Sequence, residues 1–160
     1  MSWYVKSSLS SEQLQSVVNE VVPAIRNMCF SDTFKTAYQK AQSHHPTSEK
    51  DITKIQIGKF KEASIFLVNG NEVKIKLDMN FIEGANWIAY INDQEEHKGK
   101  IVPINEIWLD SEDKIEFMPY ILLHELTEVR LMLDHDFDYS HAHDIANIVE
   151  KQARIEEIFR

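Results

Sequence analysis

Segregated helical and strand patterns predict an α+β fold with two N-terminal helices, a mainly antiparallel sheet of about four strands, and two antiparallel C-terminal helices. Three observations carry this expectation. Apolar residues recur at helical spacing before His44 and again after Pro119, the period changes to two between Ile52 and Asn92, and no linker or repeat divides the chain. With 160 residues, 43% of them hydrophobic, the chain suits one domain spanning residues 1–160.

The first helix is announced by Ser10-Ser11-Glu12-Gln13, a cap followed by first-turn residues, with Leu14, Val17, Val18, Val21, Val22 and Ile25 behind it. Pro23 falls inside this pattern and removes one backbone donor, so the helix either kinks there or ends near Val21 and a second begins. Ser31-Asp32 caps a shorter helix carrying Phe34, Ala37, Tyr38 and Ala41, and the run from His44 to Lys50 reads as a loop. Strands are expected at Ile55 and Ile57, at Ile65 to Val68, and at Val73, Ile75, Leu77, Met79 and Phe81. Asn69-Gly70-Asn71 tolerates the positive φ that tight hairpins need and is expected to join two antiparallel strands. Gly84-Ala85-Asn86 reads as a turn, Trp87 to Ile91 as a strand, Asp93 to Lys100 as a charged loop, and Ile104 to Leu109 as a last strand ending at Asp110. The helix after Pro119 presents Tyr120, Leu123, Leu126, Val129, Leu131 and Leu133 as its apolar positions.

Charge and cysteine usage narrow the function classes. A net charge of −9 repels phosphate backbones and anionic lipid, which argues against nucleic acid or a membrane surface as partner. The single Cys29 excludes an internal disulfide and a multi-cysteine zinc site, and reads as a buried small hydrophobe. No signal-like apolar run opens the sequence, and no stretch approaches about 18 uninterrupted apolar residues, so a cytoplasmic location is expected.

The chemistry concentrates between Pro119 and Phe159. His124 and Glu128 stand four residues apart and share a helical face, whereas Glu125 is turned about 100° away at about 3.6 residues per turn. Asp138 is the expected cap of the next helix, in which His143, Ala146 and Glu150 form one stripe. His141 lies about 160° from His143 on a regular helix, so only one of them faces a common ion, and the stripe favours His143. Zinc accepts imidazole nitrogen and carboxylate oxygen, and catalytic sites commonly use three protein ligands. His124, Glu128 and His143 supply such a set, with Glu150 as a fourth ligand or as a partner orienting a ligand imidazole. Glu125 could then take a proton from water activated at the ion. The connecting-turn residues His135 and Asp136 and the loop residues His44, His45 and His97 are expected to stay outside this group.

Those residues also carry a resemblance. Ile107-Trp108-Leu109-Asp110, the pentamer His124-Glu125-Leu126-Thr127-Glu128, and Tyr139 with Ala142, His143, Ala146 and Glu150 resemble a family of bacterial and phage HExxE zincin-like metallopeptidases, over about a third of the chain. The resemblance implies a zincin-like fold, a bound zinc ion, a peptide or protein substrate, and a supporting role for Tyr139 or Glu150. It departs from well-studied zincins in placing Glu128 where they have a second histidine. It also implies that the strand ending at Asp110 lies beside the site helix, where a free edge could take an extended peptide. Two other classes are open from the residues alone: a protein whose metal or carboxylate-histidine core is structural, and an accessory protein that binds a host protein through its acidic surface.

Overall fold

A computed structural model describes residues 9–43, 52–77, 84–86, 102 and 105–160. Helix α1 (Ser11–Cys29) starts at a reciprocal cap: Ser10 Oγ accepts the Gln13 N–H at 3.1 Å, and Gln13 Oε1 accepts the Ser10 N–H at 2.8 Å. The helix is continuous, with Pro23 on its exposed side, and Leu14, Val17, Val21, Ile25 and Cys29 make its buried stripe. Helix α2 (Asp32–Gln42) is capped by Ser31 and buries Phe34, Ala37, Tyr38 and Ala41, as the spacing predicts.

Strands β1 (Lys54–Phe60) and β2 (Ala63–Val68) form an antiparallel hairpin whose turn contains Lys61 at φ 53°. After β2 the chain departs from expectation. Asn69-Gly70-Asn71 is not a hairpin turn but the start of helix α3 (Gly70–Leu77), because Asn69 Oδ1 accepts the N–H groups of Asn71 at 2.9 Å and Glu72 at 3.1 Å. Val73, Ile75 and Leu77, expected in a strand, are therefore helical. A strand followed by a helix returns parallel, and β4 (Glu106–Asp110) indeed pairs parallel with β2 from Ser64↔Glu106 to Val68↔Asp110. The segment Gly84–Asn86, expected as a turn, is the short strand β3, antiparallel to β4. Among the described residues the sheet order is β1-β2-β4-β3, so the sheet is mixed rather than mainly antiparallel, with three longer strands and the short β3 in place of the more numerous period-two runs. The strand expected at Trp87 to Ile91, Met79 and Phe81, and the loops at His44 to Lys50 and Asp93 to Lys100 lie outside the described residues.

Alternation along β2 and β4 separates two apolar faces. Ile65, Leu67, Ile107 and Leu109 enter the main core with the helices, while Phe66, Val68 and Trp108 cluster on the other side with Val73 and Val102. A short 3-10 turn, Ile115–Phe117, leads into α4 (Met118–Asp134), which carries Pro119 in its first turn, where no intrahelical donor is required. Most of α4 is buried, because it packs between α1 and α5 (Tyr139–Glu156) and also touches β4. Leu133 is the exception among its expected core positions, at 42% exposure. Among the described residues no helix is long and apolar enough to cross a membrane.

Candidate metal centre

The connection from Asp134 to Asp138 is short enough to fold α5 back antiparallel on α4. Asp138 fixes where α5 begins, its side chain accepting the His141 N–H at 2.8 Å. That start sets the phase of the helix: Ala142, Ile145, Ala146 and Val149 are buried, and His143 and Glu150 flank them on the side facing α4. His124 and Glu128, one turn apart, meet them from α4 at 8% and 2% exposure.

Three donor atoms converge there. His124 Nε2 lies 3.1 Å from Glu128 Oε2, His143 Nδ1 lies 2.9 Å from the same oxygen, and the two ring nitrogens are 3.3 Å apart. Donors of a tetrahedral zinc site, with bonds of about 2.0–2.2 Å, stand roughly 3.3 Å from one another. Both the donor chemistry and the spacing therefore fit a divalent ion held by His124, Glu128 and His143. Glu128 closes the inner side of the group, and His143, with 40% of its side chain exposed, opens it to solvent.

Charge balance favours a cation at this place. Burial works against a protonated His124, yet Glu128 and Glu150 at its two nitrogens, with the charge of Glu125 nearby, prevail and push its pKa up to about 10. Glu150 Oε1 is 3.1 Å from His124 Nδ1, an electrostatic pairing off the line of a well-aligned hydrogen bond. Burial raises the Glu150 carboxyl, but His124 and Arg154 outweigh it and hold the group below the usual range. Tyr139 stacks on His143 at 5.4 Å between ring centroids and puts its hydroxyl 3.5 Å from Nδ1.

Each residue singled out in the sequence can now be placed. His124, Glu128 and His143 are brought together, and Tyr139 sits at their rim. Glu150 faces the nitrogen of His124 that points away from the three donors, which is the orienting position and not the ligand position. Glu125 is buried at 8% exposure beside His124. His141 is exposed and bonded to its own helix cap, its Nδ1 2.6 Å from Asp138 Oδ1. Asp110 serves the fold instead, accepting the N–H groups of Gly70 at 2.8 Å and Glu112 at 2.9 Å. Cys29 is a buried thiol whose pKa burial pushes up to about 12, consistent with core packing rather than nucleophilic work. Arg154 pairs with Glu150, and the Glu150–Arg154 spacing of one helical turn is the signal that could have identified it. Comparisons with protein-family models, with curated proteins and with solved structures yield no match for this chain.

Proposed function

We propose that the protein is a zinc-dependent hydrolase in which His124, Glu128 and His143 hold the ion, and that its substrate is a peptide or protein. The observation that carries the metal reading is the convergence of two imidazole nitrogens and one carboxylate oxygen within 3.3 Å of one another on a partly open face. When bound, zinc supplies Lewis acidity that polarises a carbonyl and brings the pKa of water down to about 7. Glu125, a buried carboxylate adjacent to a ligand, takes the proton released by the attacking water and returns it to the leaving amine. Tyr139 stands at the open rim, where its hydroxyl can donate to the substrate carbonyl as charge develops on oxygen.

The expectation that the strand ending at Asp110 offers a free edge to substrate does not hold. β4 has β2 on one side and β3 on the other, with Glu106, Ile107 and Trp108 paired to Asn86, Ala85 and Gly84. A substrate reaches the group instead from the side of Tyr139 and His143, the least buried members.

One observation favours a second, non-catalytic reading: with carboxylates at both its nitrogens and a pKa near 10, a protonated His124 would complete a charged polar core without an ion. Zinc analysis and a peptide-library assay of the wild type and Glu125→Gln separate the two. The hydrolase reading expects zinc in both proteins and cleavage by the wild type alone. Equal cleavage by both proteins, or loss of zinc from Glu125→Gln, would remove Glu125 from the role of base. A wild type that binds no zinc favours the polar core.

A further inference from the structure

We infer that Arg154 is a positioning residue for the metal centre, acting through Glu150 to aim His124; the inference rests on the reading of His124 as a ligand. Arg154 reaches Glu150 with a fork, Nε at 2.9 Å and Nη2 at 2.8 Å from the same oxygen, Oε2. With Oε2 held by two donors, Oε1 is left facing His124 Nδ1 at 3.1 Å. A histidine ligand presents one nitrogen to the ion and donates the hydrogen of the other, and the acceptor for that hydrogen decides which nitrogen is free. Here the carboxylate facing that nitrogen is Glu150, off the line of a well-aligned hydrogen bond but close enough for its charge to favour the hydrogen on Nδ1, which leaves the lone pair of His124 Nε2 toward Glu128 and His143.

The guanidinium is itself anchored. Its carbon lies 5.2 Å from the ring centroids of both Phe117 and Tyr120, which belong to the 3-10 turn and the first turn of α4. Arg154 therefore ties the last turns of α5 to the start of the helix that carries His124. An ordinary exposed ion pair one turn apart on a helix would have neither the aromatic anchor nor a ligand imidazole on the far side of its carboxylate.

Zinc affinity, read by competition with a chromophoric chelator, tests this in wild type, Arg154→Met, Arg154→Lys, Glu150→Gln and the double variant Glu150→Gln with Arg154→Met. Arg130→Met serves as a control, because it breaks the pairs of Arg130 with Glu20 on α1 and with Asp134 on α4 without touching Glu150. Loss of an outer partner of a ligand typically weakens metal binding about 10- to 100-fold. Arg154→Met is expected at about tenfold, Arg154→Lys between it and wild type, the double variant no weaker than Glu150→Gln, and Arg130→Met unchanged. If Arg154→Met does not fold, Arg154→Lys carries the test, since it keeps the charge and loses the planar fork. Wild-type affinity in the Arg154 variants, or losses that multiply in the double variant, would overturn the role of Arg154. A wild type that takes up no zinc would instead overturn the metal reading on which it rests.

Discussion

Among the described residues, two clusters of buried and partly buried polar side chains are built for opposite purposes. At the end of the sheet, Asn69, Glu72 and Asp110 each serve the backbone. Asn69 caps α3 and donates to the Ala41 carbonyl at 3.2 Å, Glu72 accepts the Thr53 N–H at 2.7 Å, and Asp110 accepts two further N–H groups. Between α4 and α5, by contrast, His124, Glu128 and His143 converge on one another. Polar groups that satisfy backbone donors hold a chain path in place. Polar groups brought together at side-chain tips require something to neutralise and space them, which at this position is a proton or a cation.

The largest effect expected from this contrast is at Glu128. Glu128→Gln should weaken zinc binding more than about a hundredfold, beyond the loss of an outer-shell partner, and should lower the melting temperature of the metal-free protein near neutral pH, where Glu128 pairs with a protonated His124. Unchanged zinc affinity would erase the distinction between the clusters. Gly70→Ala tests the opposite side. A Cβ at Gly70 would lie 2.2 Å from Asp110 Oδ2, so the Asp110 bridge must shift, at a cost of about 1–3 kcal/mol in denaturant unfolding. Zinc affinity should be unaltered.

A third test uses pH on the metal-free protein. The folded pKa of His124 is raised to about 10 from an unfolded value of 6.5, so its stabilisation is complete below 6.5 and lost as pH rises through about 10. Across pH 7.5 to 8.5 stability should fall by at most about 1.4 kcal/mol, and the slope should vanish in His124→Gln and in zinc-loaded protein, where the ion replaces the proton. Stability that is flat over this range would show that the carboxylates do not hold His124 charged. The smallest effect is expected from Asn69→Ala, about 1 kcal/mol for loss of the cap, equal with and without zinc.

The two clusters also differ in how far the sequence discloses them. The site is built from adjacent helices joined by a short turn, so helical phase alone brings His124, Glu128 and His143 together and turns His141 away. The four long helices among the described residues are equally legible, since α1, α2 and α5 have side-chain caps, α4 has Pro119 in its first turn, and all four carry apolar residues at helical spacing. The sheet end is not. Asn-Gly satisfies a hairpin and a helix cap alike, and the pattern that decides for the cap is Glu72 three residues after Asn69. Once α3 is misread as a strand, the parallel pairing of β2 with β4 cannot be found, because strand order depends on partners distant in sequence. Arg154 escaped for a related reason. Its pairing with Glu150 is readable from their spacing, but its anchor on Phe117 and Tyr120, more than thirty residues away, is not.

The central claim is that these side chains form a metal centre. X-ray absorption at the zinc edge, on protein loaded with one equivalent, tests it directly. Two imidazoles and one carboxylate around the ion, falling to one imidazole in His143→Ala, are the predicted result. A zinc spectrum indistinguishable between wild type and His143→Ala, or no stoichiometric zinc in the wild type, would contradict it.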